Sequence, residues 1–190
     1  MIVAVGELAA RSLPATIFVA PARLNNHVFW WDALLHGSGK RDRAIRNHAL
    51  YVLGGSDERV RAWAAEAGIT TCKLPEYAQT ATEAEIAAAL RHSGITLGSH
   101  SWSHPNLASL DSAELAAELR CSREWLHTAF GERVIDWLAY ADAGYEGALG
   151  IGGGWHRATD VSRFARPRFS IASGLSVAGL RARLHGVLLQ

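Results

Sequence analysis

The sequence predicts an α/β fold with a mainly parallel sheet, and three observations carry that prediction. Short apolar, β-branched runs alternate with longer stretches of helical periodicity. Helix-start signatures precede several of those stretches, at Ser56, at Thr80-Ala-Thr-Glu83 and at Asp111-Ser-Ala-Glu114. Glycines close them: Gly54-Gly55, Gly68, Gly94 and Gly131.

In chain order, Val3 to Arg11 reads as the end of a helix, punctuated by Pro14. Ala15-Thr-Ile-Phe-Val-Ala20 is a continuous apolar run, the pattern of a strand buried on both faces. Trp30-Trp31-Asp32 opens a short helical stretch after a loop, and Arg41 to Leu53 is helical up to Gly54-Gly55. Ser56 caps a helix that places Val60, Trp63, Ala64 and Ala67 on one face. Thr80 and Glu83 form a capping box for a helix through His92. A strand at 95–98 follows. Asp111 and Glu114 cap the next helix, on which Leu115, Leu119 and Leu126 are periodic. Val134 to Tyr140, Ala148 to Ile151 and the weaker Phe169 to Ala172 read as strands, and Val177 to Leu189 as a closing amphipathic helix.

Between the strand at 95–98 and the helix after Asp111 lies Gly98-Ser-His100-Ser-Trp102-Ser-His104-Pro105. Imidazole is the commonest protein ligand for a borderline metal such as Zn²⁺. An H-x3-H spacing lets two imidazoles converge on one ion. Pro105 biases His104 away from the right-handed helical region, so the pair is expected on a loop at a strand's C-terminal end, where α/β folds keep their chemistry. The helical zincin signature is excluded, because Ser101 stands where it needs Glu. Two histidines are half a metal site. The other seven, His27, His36, His48, His92, His127, His156 and His185, have no partner at useful spacing and read as surface or half-buried.

At 190 residues a single domain, 1–190, is the default. Apolar residues at 49% and charged residues at 19% suit a real core and exclude a disordered chain. A net charge of +1 gives no electrostatic case for nucleic acid or a membrane surface. Cys72 and Cys121 are far apart and are expected as buried thiols. No run approaches the roughly 18 apolar residues of a membrane span. Glu7 and Arg11 interrupt the apolar N-terminus, so a cytoplasmic location is expected for the chain as given.

With these residues in view, a resemblance becomes specific. Pro14-Ala-Thr-Ile-Phe-Val19 resembles the second strand of the polysaccharide deacetylase family (carbohydrate esterase family four), and Ile95 to Leu110 resembles that family's G-x-H-x-x-x-H-P-x-L metal motif. Trp30-Trp31-Asp32 and Arg166-Pro167-Arg168-Phe169 are similar to segments of an exopolysaccharide-cluster subgroup. The resemblance implies a deformed (β/α) barrel of the glycoside hydrolase/deacetylase type and metal-assisted N-deacetylation of a glycan. It also implies a divalent ion, usually zinc, held by one Asp and two His. His100 and His104 match the histidine ligands. Tyr140 matches the aromatic of the oxyanion motif, and Tyr140, Trp102 and Arg168 are expected at the substrate; in a glycan-binding relative Trp102 and Trp155 would serve as sugar platforms, against the plainer reading of core or rim packing.

The sequence also departs from the family. The family's Asp-Asp pair ends a strand upstream of the matched segment, whereas the first Asp here is Asp32. The barrel is therefore expected to be incomplete, lacking its first strand, with about five strands where seven or eight are needed. Exposed sheet edges would invite self-association. After Tyr140 the third motif is cut short, and Asp142 is the one resident substitute carboxylate, against the plainer reading of a turn Asp. Three readings stand: a deacetylase-like hydrolase, a degenerate glycan-binding relative, and an α/β scaffold with an incidental His pair. With no general base identified, the chain as given is expected to release no measurable acetate.

Overall fold

The computed structural model describes residues 2–35, 40–138 and 147–149, with Ser176 and Ala178. The chain divides into two compact units, 1–135 and 136–190. In the first, α1 (Ile2–Ala10) leads into β1 (Ala15–Val19), and three helices follow before the sheet resumes: α2 (Trp30–Leu34), α3 (Lys40–Asn47) and α4 (Asp57–Glu66). Then come α5 (Glu83–Ala89), β2 (Ile95–Ser99) and the long α6 (Ser112–Phe130). β3 (Val134–Leu138) begins in the first unit, and in the second its Trp137 and Leu138 pair in parallel with Gly147 and Ala148 of β4 (Gly147–Ala148). The expected α/β character and parallel strands are present, with a small sheet rather than a complete barrel.

β1 and β2 pair in parallel register from Ala15 opposite Ile95 to Val19 opposite Ser99. The Ala15 N–H donates to Gly94 O, and Val19 O accepts from the His100 N–H, so odd-numbered residues of β1 turn their backbone groups toward β2. Thr16 and Phe18 turn theirs to the opposite edge, with which no described strand pairs. That corrects the expectation of a strand buried on both faces: Ala15 to Phe18 are half-buried and only Val19 is buried.

The capping signals act as short-range physics requires. Asp111 accepts from the N–H groups of Ala113 and Glu114, and Glu114 reaches back to the Asp111 N–H. For α5 the box is Thr82 with Glu85, not Thr80 with Glu83. Both pairs have the right spacing, but Thr80 is committed elsewhere: its Oγ1 accepts the His27 N–H at 2.9 Å and its own N–H donates to His27 O. The helix predicted over 41–53 is α-helical only to Asn47 and continues as a π-helical turn, His48–Val52. Gly54 and Gly55 follow at positive φ, and a Cβ on Gly55 would stand 2.9 Å from the Asn106 backbone nitrogen. The stop signal is therefore also a close approach to the loop after His104.

Cys72 is half-buried and Cys121 exposed, against the expected buried thiols. Cys121 sits on the outer face of α6, where helical periodicity turns every third or fourth residue away from the core. Among the described residues no helix is long and apolar enough to cross a membrane. The expected strand at 169–172 and helix at 177–189 lie outside the described residues, Ala178 aside.

Candidate functional site

The site is built on the segment that leaves the C-terminal end of β2. Ser99 is buried, and its hydroxyl meets that of Ser122 on α6 at 2.8 Å. The chain then turns sharply: Ser101 has φ +61° and His104 φ +60°. Left-handed backbone is uncommon for residues with a Cβ, and it places His104 outside the right-handed region that Pro105 disfavours. The turn folds His104 back on His100. Their Nε2 atoms lie 3.2 Å apart, with the ring planes at 74°. The two histidines read from the sequence are thus brought together.

Side chains from distant elements hold this loop. Glu118 Oε2 accepts the N–H groups of Trp102 (2.9 Å) and Ser103 (2.8 Å), while Oε1 accepts the Ser103 hydroxyl at 2.5 Å. On the other side the buried Arg23 donates its Nε to Ser103 O at 2.9 Å. The Ala22 N–H donates to Trp102 O, and the His104 N–H to Ser101 Oγ. Arg23 is in turn paired with Glu58 at 3.1 Å and with the buried Asp57 at 3.7 Å, and Asp57 also accepts from Arg61. Sequence reading missed Arg23, Asp57 and Glu118. Each looks like an ordinary surface charge until the fold supplies its partner.

Phe29 and Trp31 stack at 4.3 Å, and both rings stand within 5.4 Å of the His104 ring. Burial pushes the His104 imidazole below its ordinary pKa. A backbone hydrogen bond opposes that, the Arg23 charge adds to it, and the Glu118 charge opposes it. The net direction favours the neutral ring, the form in which imidazole ligates a metal. A cavity of about 350 Å³ opens beside the pair, at the C-terminal half of β1. Ile17, Phe18, Leu24, Phe29 and Ile86 give it apolar walls, and Arg23, Thr80, His100 and His104 supply its polar groups. That size and mixture suit a small-molecule site.

Trp102 does not face this cavity. It lines a second one, about 340 Å³, with Arg59, Glu114 and Glu118. His27 is half-buried, as expected, and lies 3.6 Å from Asp57 Oδ1, packed edge-on against Phe29. His48 stacks on Trp63 at 4.4 Å. Tyr140, Asp142, Trp155 and Arg168 lie outside the described residues. Among the described residues no group of three or more His, Cys, Asp or Glu side chains gathers around one point.

Parallel strands joined through helices, with polar side chains collected past the carboxyl end of a strand, define an α/β protein of the ligand-binding or catalytic type. The sequence profile of the polysaccharide deacetylase family matches residues 4–149, well over half of the chain, and the chain belongs to that family. Its function at family level is deacetylase-like hydrolysis, with polysaccharides as the substrate class. A comparison with curated proteins finds no match.

Proposed function

We propose that this domain is a metal-dependent polysaccharide N-deacetylase in which His100 and His104 are imidazole ligands of a divalent ion, zinc by first choice. One observation carries the reading: the 3.2 Å separation of the two Nε2 atoms. Tetrahedral zinc with Zn–N bonds of about 2.0–2.1 Å sets its ligand nitrogens about 3.3–3.4 Å apart. The two rings therefore stand close to two corners of such a site. A bound ion of this kind acidifies water and polarises an acyl carbonyl. The protein's own part is to keep the His104 imidazole neutral by burial and to offer an apolar wall beside the pair for the acyl-bearing sugar. The incomplete (β/α) barrel, Tyr140 and Arg168 at the substrate, and the exopolysaccharide subgroup belong to the same proposal. Trp102, on the second cavity, would meet a neighbouring part of the glycan.

Catalytic zinc sites use three protein ligands, and the described residues bring two together. Zinc affinity is therefore expected to be weak, and the same count supports a second reading, a glycan-binding relative that no longer hydrolyses. Equilibrium dialysis with zinc, followed by acetate assay on chitooligosaccharides and acetylated exopolysaccharide, separates them. Zinc uptake that disappears in His100→Ala and His104→Ala supports the metal pair, and uptake unchanged in both variants overturns it. Acetate release that depends on His100 establishes the hydrolase. Glycan binding with zinc bound and no acetate released establishes the second reading.

A further inference from the structure

We propose that Glu118, which lies outside the metal pair, is the positioning residue that fixes the two imidazoles in register. The proposal rests on the reading of His100 and His104 as a metal pair, but its test does not depend on metal alone. The loop runs five residues, His100 to His104, and two of them, Ser101 and His104, are non-glycine residues in left-handed backbone. Such conformations are costly for residues with a Cβ and persist only where surrounding structure over-determines them. Glu118 is the side chain that does this from α6. It accepts three hydrogen bonds from two consecutive residues, Trp102 and Ser103, directly between the histidines. Charge-assisted bonds of this kind are about twice as strong as neutral ones. Arg23 holds the carbonyl of the same residue, Ser103, from the opposite side. Ser103 is thereby gripped at its N–H, its hydroxyl and its C=O, and little freedom is left for His104 next to it.

The role is geometric, and the choice of substitutions can show it. In Glu118→Gln the amide oxygen can still accept both N–H groups, while the Ser103 hydroxyl rotates to accept from the amide NH₂. Glu118→Asp is one methylene short of the loop, and Glu118→Ala removes every contact. Two readouts follow. In the metal-free protein, amide hydrogen exchange at Trp102 and Ser103 and nuclear Overhauser contacts between the two imidazoles report the loop itself. In the zinc-titrated protein, affinity reports the pair.

The Ala and Asp variants are expected to exchange the two amides faster, to lose the ring–ring contacts and to bind zinc about 10–100-fold more weakly, as when outer-shell partners are removed. The Gln variant should stay within about threefold of the parent on the same scale. Ring–ring contacts and zinc affinity unchanged in a folded Glu118→Ala overturn the proposal. Should the Ala variant fail to fold, equal affinities for Gln and Asp overturn it. A parent protein that takes up no zinc refutes the metal reading, while the exchange and ring-contact data still decide the role of Glu118.

Discussion

Two apolar clusters lie in the first unit, and they are assembled in different ways. One gathers Val5, Val19, Ile86, Leu90, Ile95, Leu97 and Leu126 from α1, both strands and the helices flanking β2. The other gathers Trp30, Ala33, Leu34, Ile45, Ala49, Val60 and Ala64 from the single stretch between β1 and α5. The first needs residues more than a hundred positions apart, whereas the second closes locally. The division has a chemical counterpart. The sheet cluster carries the segment that bears both histidines. The helical cluster carries what stands around them: Phe29 and Trp31 as walls, and Asp57 as the anchor for Arg23. A strand-and-loop segment that carries the histidines is thus combined with a locally closing helical stretch that sets the surroundings of the pair.

Truncating one leucine in each cluster is the strongest way to break this comparison. Leu97 and Leu34 are both fully buried, so each change to Ala should lower unfolding free energy by about 2–5 kcal/mol in urea titrations. The effect on zinc should differ. Leu97→Ala, three residues before His100, should also weaken zinc binding. Leu34→Ala, measured where it remains folded, should leave zinc affinity within about threefold. Loss of zinc binding in a folded Leu34→Ala would show that the two clusters are not separable.

Helix caps sharpen the same contrast at a smaller scale. Asp111 caps α6 with two bonds of 2.8 Å, whereas Ser56 caps α4 with one of 3.4 Å. Asp111→Ala should cost about 1 kcal/mol, and Ser56→Ala clearly less. Equal shifts in the thermal midpoints of the two variants would contradict this ordering.

The smallest effect expected is a pH dependence located in the helical side. Burial lowers the His27 pKa below 6.5, with Asp57 opposing and Arg23 and Arg61 adding to the shift. The folded state therefore binds fewer protons than the unfolded state between the lowered value and about 6.5. Stability should rise with pH across that window and level off above it. In His27→Gln, urea midpoints at pH 5.5 and 7.5 should lie closer together than in the parent. An unchanged gap would remove His27 as its source.

How much could be read from the sequence depended on the range of the forces involved. β1, β2 and α6, with its Asp111–Glu114 box, are set by local pattern and were legible almost to the residue. Overlapping Thr-x-x-Glu pairs left the start of α5 ambiguous, because only the distant His27 decides which threonine is free to cap. His100 and His104 were legible because their spacing, the strand before them and the proline after them all lie within the eleven residues from Ile95 to Pro105. Arg23 and Glu118 were not. Nothing near Arg23 says that it will be buried, and its bond to Ser103 spans 80 positions of chain. The half-burial of β1 was misjudged for a related reason: apolar composition does not tell how many neighbours a strand will find.

Glu118 and Ser122 stand one helical turn apart on the same face of α6. Ser122 grips the end of β2 through Ser99, and Glu118 grips the loop through Trp102 and Ser103. The histidine-bearing segment is therefore clamped at both ends to one rigid rod. A loop held only by its neighbours in sequence would fray on its own, as a low-energy opening well below global unfolding. Here the loop cannot leave without detaching from α6. The amides of Trp102 and Ser103 should then exchange in the same slow class as those of the β2 strand. On warming, the site should be lost together with the helix in a single cooperative step.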